Sequence, residues 1–538
     1  MPISILPGQG TFDAIRDWCH CCVKHHLTCP KITETSLPTR CLYIPAGEET
    51  LIRLCDTRRI KNQYVALSHC WGDKLQITTT SATLSSRMNS ISFDELPRTF
   101  QDAVTITKAL GFQFLWIDAL CIIQGLDGDW AKEGSKMSTV YGNATLVISA
   151  ASARSGYDGI LNPRQLLESP VFGLKQKFKL QRNPGNTLDE LDSSPLSCRA
   201  WAFQERILAP RILHFTETQM VWECLKDTRI ECLQGPVKRS RSELFKDSRN
   251  GETSNIRSLY TSLPKDLSLS HCEPEGNDFY RRLEIWYQLV IRYSRLSLTY
   301  PSDRLPAISG LAAAISVPSL GRYLAGLWES DIFFGLAWQS SLYTHFQPQV
   351  APSWSWAAYF PEVEGEESVF WCSRPQSQNH EGRWYDTYKP VLYGYETYDI
   401  WCDAPPSEMS DFRTSITIKA SYFEFYTASL HFPYRPGAIF EWYMNSDITT
   451  KFSFLTPGEE DKGEKLSRYL CVQIYYDDGE VYALIVEPVD EERNLYRRVR
   501  LALLSPFQMG LKDNPSEFKE YSCIKYEFAW RKGIIKLV

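Results

Sequence analysis

The amino-acid sequence predicts an α/β protein: a parallel sheet flanked by helices, then a helical segment and a β-rich C-terminal region. Three observations carry this. Between Tyr64 and Cys224, short apolar runs alternate with helix-period stretches, which is the pattern of a parallel sheet covered by helices. From "FYRRLEIWYQLVIRYSRL" to "YLAGLWESDIFFGLAW" the apolar spacing is mainly helical. From Trp354 onward, aromatic alternation and turn residues dominate.

Taken in order, "LPTRCLYI" reads as a strand, and "YVALS" as a short buried strand. "LPRTFQDAVTITKALG" spaces Phe100, Ala103, Val104 and Leu110 as one helical face, with Pro97 just ahead and Gly111 as its stop. "FLWID" is a second buried strand. Asp129 is placed to cap a helix carrying Trp130, Met137, Val140 and Tyr141, and "ATLVISA" is a third strand. "CRAWAFQERILAP" reads as a helix halted by Pro210, followed by the strands "RILHF" and "QMVWEC". The expected organisation is an N-terminal Cys/His segment over 1–60, an α/β domain over 61–225, a polar linker or insertion over 226–280, a helical region over 281–350 and a β-rich region over 351–538.

Composition narrows the class. The 538 residues exceed one ordinary core, and 43% hydrophobic with 23% charged residues describes a folded chain. A net charge of −6 offers no basic field for nucleic acid. The opening "MPISILPGQG" lacks the features of a signal peptide, and no apolar run is long enough to span a bilayer. The 16 cysteines are scattered through a long chain, so reduced thiols and a cytoplasmic location are expected. There is no GxxxxGK[ST] loop, no GxGxxG after a strand and no HExxH, which excludes P-loop, ordinary dinucleotide-fold and zincin chemistry.

Several residues remain as candidates for chemistry. Ser68, Asp118 and Ser149 fall at or near the carboxyl ends of predicted strands, where ligands collect in parallel sheets. Ser68, His69 and Cys70 are adjacent, and strand alternation turns Ser68 and His69 apart, so they do not make a catalytic cluster. Trp71 and Gly72 fit a tight turn where backbone and ring can meet a ligand. Asp118 suits a turn cap and a site residue equally. On "RAWAFQERIL", Ala200, Phe203 and Ile207 make the apolar stripe, and Trp201 and Glu205 share another face. A carboxylate beside an aromatic is a way to tune an acid, while an ion pair of Glu205 with Arg206 or Arg211 is the plain alternative. The run "CHCCVKHHLTC" supplies Cys19, Cys21, Cys22, His25, His26 and Cys29 within eleven residues. Without a second ligand pair nearby, the spacing favours a buried helical cluster, and no metal is expected.

The ordered set "YVALSHCWG", "LPRTFQDAVTITKALGFQFLWIDALCIIQ", "DWAKEGSKMSTVYGNATLVISAASARSGYDGIL" and "RAWAFQERILAPRILHF" resembles the fungal heterokaryon-incompatibility (HET) domain family. "CVKHHLTC", "LPTRCLYI" and "APSWSWAAY" resemble the flanks of its longer members, so the likeness covers most of residues 15–357. His69, where the family commonly carries an aromatic, and "IIQGLDGDW" depart from its pattern. The resemblance implies non-self recognition, a form of innate immunity, through partner incompatibility or signalling proteins or through self-assembly, leading to programmed cell death. HET domains are also remotely similar to TIR domains, which implies a TIR-like sheet and NAD hydrolysis. In that mapping Glu205 is the catalytic carboxylate with Trp201 beside it, although Ala202 stands where TIR-type enzymes carry a Cys. Ser68, Trp71, Gly72, Asp73, Lys74 and Asp118 would flank the cleft, with Lys74 toward phosphate. NAD is then substrate, and no cofactor is implied. The rival reading is a non-catalytic interaction module that acts by assembly.

Overall fold

The computed structural model describes residues 4–5, 9–47, 51–72, 77–162, 164–165, 184–231, 277–340, 344–363, 365 and 369–371, and, farther on, the strands within 376–378, 384–386, 401–402, 416–427, 467–477, 480–492, 495–504 and 531–537. The chain divides into two compact units, one of residues 1–263 with 296–314, the other of 264–295 with 315–538.

In the first unit the elements are α1 (Gln9–His25), β1 (Arg40–Tyr43), β2 (Arg53–Asp56), β3 (Val65–Ser68), α2 (Arg98–Ala109), β4 (Phe114–Trp116), α3 (Met137–Asn143), β5 (Leu146–Ser149), α4 (Ala200–Leu208), β6 (Arg211–Phe215), β7 (Met220–Cys224) and β8 (Thr228–Ile230). The eight strands form one sheet in the order β8-β7-β6-β5-β3-β4-β1-β2. Its centre, β6-β5-β3-β4, is parallel, as the alternating pattern predicts. Antiparallel strands extend both edges, so the sheet is mixed. Strand β7 runs antiparallel to β6 because it follows β6 directly with no crossover helix, and β1 pairs antiparallel with both β4 and its hairpin partner β2.

Every residue of β3, β4, β5, β6 and β7 is buried. That explains why these segments read as continuous apolar runs: a parallel sheet covered on both faces has no solvent side on which to alternate. Each fully buried Val, Leu or Ile contributes roughly 1.5–3 kcal/mol. Helix α2 buries Phe100, Ala103 and Val104, and Gly111 adopts a φ of +84° just after its end. The helix expected after Asp129 is instead broken into Trp130–Gly134 and α3. The break falls at Ser135 and Lys136, directly after Gly134, a weak helix former. Asp129 sits at the first N-cap, but its carboxylate accepts from the Ile123 amide at 2.8 Å and pairs with Arg40.

In the chain order of its parallel strands, the central sheet reads fourth, third, first, second. The order therefore reverses between β3 and β5, and the register sets Ser68 beside Ser149 at their carboxyl ends. Open α/β sheets form their ligand crevice at such a reversal. Helix α4 is fastened over the same face by Arg206, which donates to Glu223 of β7 at 3.0 Å through both Nε and Nη2 and to Asp192 at 2.8 Å.

In the second unit, α5 (Asn277–Ser294) is the long predicted helix. The segment "YLAGLWESDIFFGLAW" departs from the helical expectation. It forms a hairpin of Tyr323–Leu324 with Leu327–Trp328 and then a single short helix, Ile332–Gly335. Ala325 and Gly326 turn the chain there with φ of 42° and 98°, which breaks helical geometry. Farther on, the strands 416–427, 467–477, 480–490, 495–504 and 531–537 pair in sequence, and the last returns to pair with the first. The C-terminal region is β-rich, as predicted. Of the predicted linker 226–280, residues 232–276 lie outside the described residues.

The Arg206–Glu223 pair generates a stability prediction. Glu223 is 1% exposed, and its carboxyl is held well below the usual range by the Arg206 charge and the His214 contact despite burial. Arg206→Ala leaves that carboxylate without its cation and should cost about 3 kcal/mol in urea unfolding. A loss below about 1 kcal/mol would place the pair among ordinary surface bridges.

Candidate functional site

The site is built where β3 ends and α4 crosses it. Helix α4 begins after Arg199, whose backbone is extended, and stops at Ala209, ahead of Pro210. Its buried residues are Ala200, Ala202, Gln204, Glu205 and Ile207, whereas Phe203 of the expected stripe is only partly covered. Two polar side chains thus point inward. Gln204 accepts a hydrogen bond from the Gly310 amide at 2.8 Å. Glu205 is 6% exposed and engages the hydroxyls of Ser68 and Tyr141.

Burial raises the Glu205 carboxyl from 4.5 to about 7, with the nearby Asp118 charge adding to the rise. The Ser68 hydroxyl, the Arg199 charge and the Tyr141 hydroxyl oppose it without cancelling it. Near neutral pH this side chain is therefore divided between acid and carboxylate. Tyr141 also donates to the Leu67 carbonyl at 3.0 Å. Its single hydroxyl hydrogen thus has two acceptors, and the ionised Glu205 competes for it. The plain alternative of an ion pair with Arg206 or Arg211 does not form: Arg206 serves Glu223 and Asp192, and Arg211 donates to the carbonyls of Pro30 and Thr145.

Trp71 and Asp118 come together, the indole Nε1 donating to Asp118 Oδ2 at 2.7 Å. Asp118 Oδ1 accepts from the Ala119 amide at 2.7 Å and lies 3.6 Å from His69 Nδ1. The His69 ring stands edge-on to Phe100 at 4.9 Å, away from the glutamate that Ser68 meets. Gly72 occupies the expected turn with φ +70°, and a Cβ there would come within 2.6 Å of Ser155 Cβ and 3.0 Å of the Arg154 carbonyl. Only glycine fits. Asp73 and Lys74 lie outside the described residues.

Trp201 is placed differently from expectation. Its indole donates to Asp303 at 3.0 Å and its ring meets Trp130 edge-on at 5.7 Å. Although Trp201 and Glu205 are one turn apart on α4, the ring packs against Trp130 and the carboxylate turns to the strand ends. Cys70 is buried, and burial first of all pushes its thiol up, the opposite of an activated nucleophile.

Sequence reasoning missed several participants. Tyr141 is three residues before the Ala144 that opens "ATLVISA", and Arg199, which donates to the His69 carbonyl at 3.0 Å, is the first residue of "RAWAFQERIL". A second buried line runs beside the first: Ser149 Oγ lies 2.9 Å from His214 Nδ1, and His214 Nε2 lies 3.2 Å from Glu223 Oε2. All three are at most 3% exposed. No local spacing announces it, because its members come from three strands.

With this geometry in place, comparison with known proteins is informative. Residues 64–205 match the family model of heterokaryon incompatibility protein (HET), a span running from Tyr64, just before β3, to Glu205 itself. This span of the chain is a HET domain. No curated protein matches the chain, and no solved structure does. Among the described residues, no helix is long and apolar enough to cross a membrane.

The Glu205 carboxyl yields a pH prediction with a definite sign. Its folded value, about 7, lies above the 4.5 of an ordinary glutamate, so the folded state binds this proton more tightly than the unfolded chain. Stability from this group is complete below about pH 4.5 and is lost as pH rises toward 7. Glu205→Gln should therefore match the wild type in acid and exceed it above pH 7 by up to about 3 kcal/mol. Equal unfolding midpoints for the two proteins at pH 5 and pH 8 would contradict this assignment.

Proposed function

We propose that this HET domain is an effector of fungal non-self recognition that drives programmed cell death by TIR-like hydrolysis of NAD, with Glu205 as the catalytic carboxylate. What carries this reading is a single feature: a buried glutamate, its carboxyl raised by that burial, beside Ser68 at the strand ends where the strand order reverses. Cleavage breaks the ribose C1′–nicotinamide nitrogen bond, the electron pair leaving with neutral nicotinamide. Water then bonds C1′ and releases its proton. Positive charge develops on the ribosyl centre, and a carboxylate stabilises it most where water is excluded. Ser68 and Tyr141 hold Glu205, and Asp118 holds the Trp71 ring that offers a stacking face at the same strand ends. Trp71 and Gly72 stand at the mouth in this reading, and the protein acts in the cytoplasm on free NAD, without a bound cofactor.

The rival is a non-catalytic module that signals by assembly with itself or with partner incompatibility proteins. The low exposure of Glu205 and the commitment of Trp201 to Asp303 favour it. The two readings separate on one variant. On the catalytic reading, folded full-length protein releases nicotinamide from NAD, and Glu205→Gln lowers the rate at least about 100-fold, the scale of losing one electrostatic contact to the transition state. Cell death in cells expressing the variant should fall in parallel. A folded, concentrated wild-type sample that leaves NAD intact would sink the catalytic reading. Undiminished death from Glu205→Gln would select the assembly reading.

A further inference from the structure

The N-terminal Cys/His run finds in the folded chain the partner it lacks in sequence. Cys22 lies in the last turn of α1 and His26 just past its end, where the His26 amide still donates to the Cys22 carbonyl at 3.2 Å and keeps both on one side, and Cys29 follows three residues later. The fourth member is Cys224, the last residue of β7. The donor atoms of Cys22, His26, Cys29 and Cys224 all lie within 4.8 Å of one another, and all four residues are buried. From His26 Nδ1 it is 3.4 Å to Cys224 Sγ and 3.7 Å to Cys29 Sγ. Tetrahedral zinc, with bonds of roughly 2.3 Å to sulfur and 2.0 Å to nitrogen, sets such neighbours about 3.6 Å apart.

The surroundings point the same way. His26 Nε2 lies 3.0 Å from Asp227 Oδ2, so the carboxylate takes the Nε2 hydrogen and leaves the Nδ1 lone pair facing the three sulfurs. A carboxylate behind a ligating histidine is the usual arrangement at zinc. The Asp227 amide donates to Cys224 Sγ at 3.2 Å, a contact that favours the thiolate. Three thiolates around a dication leave one negative charge. The buried Arg211, which donates to the Pro30 carbonyl next to Cys29, stands close enough to offset it. The remaining members of the run are used otherwise: Cys21 accepts from Arg229 at 3.1 Å, and His25 is exposed.

We propose that Cys22, His26 through Nδ1, Cys29 and Cys224 bind one structural Zn²⁺. Three soft sulfurs and one imidazole in a closed, four-coordinate, buried set suit zinc, and no position is left open for catalysis. The ion fastens α1 to the end of β7. Three ligands precede the HET match at residues 64–205 and the fourth follows it, so the metal clasps the domain from outside both of its ends. This inference is independent of Glu205 and of NAD chemistry.

The test uses the full-length chain, expressed with added zinc and purified in reducing buffer without chelator. Elemental analysis should find one zinc per chain. Cobalt(II) exchanged into the site should give tetrahedral d–d bands and intense thiolate-to-cobalt charge transfer, a signature read on the wild type without any variant. Cys29→Ala and Cys224→Ala should lose the zinc, whereas Cys21→Ser should keep it. Asp227→Asn should keep the stoichiometry while weakening zinc affinity 10- to 100-fold. The proposal is overturned by a wild-type chain that neither carries zinc nor takes up zinc or cobalt(II). It is equally overturned by a disulfide joining any two of the three cysteines, or by a cobalt spectrum lacking thiolate charge transfer.

Discussion

The first unit depends on how helix α4 is held against the sheet. Two consecutive residues of opposite charge, Glu205 and Arg206, both reach toward strands from one helical turn. Arg206 meets a carboxylate that is itself buried, Glu223, and the two neutralise each other with paired hydrogen bonds from one guanidinium edge, Nε and Nη2. Glu205 meets only hydroxyls, from Ser68 and Tyr141. One contact satisfies its charge and the other leaves it costly.

That asymmetry separates support from site. The line Ser149–His214–Glu223–Arg206 is compensated throughout, and Glu223 remains ionised for that reason. Glu205 faces the end of the neighbouring strand β3, yet among the described residues it has no cation in direct contact to hold its proton off. Arg199 acts on it only at a distance, being bonded to the His69 carbonyl. Violations of the rule that buried charges be paired concentrate at functional positions. The crevice at the β3–β5 reversal is where such a violation can be used.

The HET match and the folded domain also differ in extent. The match ends at Glu205, but the sheet continues through β6, β7 and β8 and is extended on its other side by β1 and β2. Residues outside the match complete its interior: His214 and Glu223 lie on β6 and β7, and Cys224 with the α1 cluster lies farther out on the same edge. The domain therefore needs its flanks to bury its own polar groups.

Much of this was legible in the residues themselves. Continuous apolar runs marked β3, β4 and β5, helical spacing marked α2 and α4, and the need for a positive φ marked Gly72. Glu205 was singled out by the resemblance to TIR-type enzymes, because its own spacing set it with Trp201 on a face other than the apolar stripe. These are properties of windows of about ten residues, in which period and propensity act directly. What the sequence left open was convergence. The pairing of Ser68 with Ser149, the reach of Tyr141 to Glu205, the diversion of Trp201 to Asp303 and the arrival of Cys224 beside Cys22 all join residues far apart in the chain. Such contacts follow from which strands lie side by side, a choice made by burial of the whole sheet. A local pattern encodes which face of an element is apolar, but not which distant element will cover it, so only the tertiary structure decided where the carboxylate and the sulfurs would meet their partners.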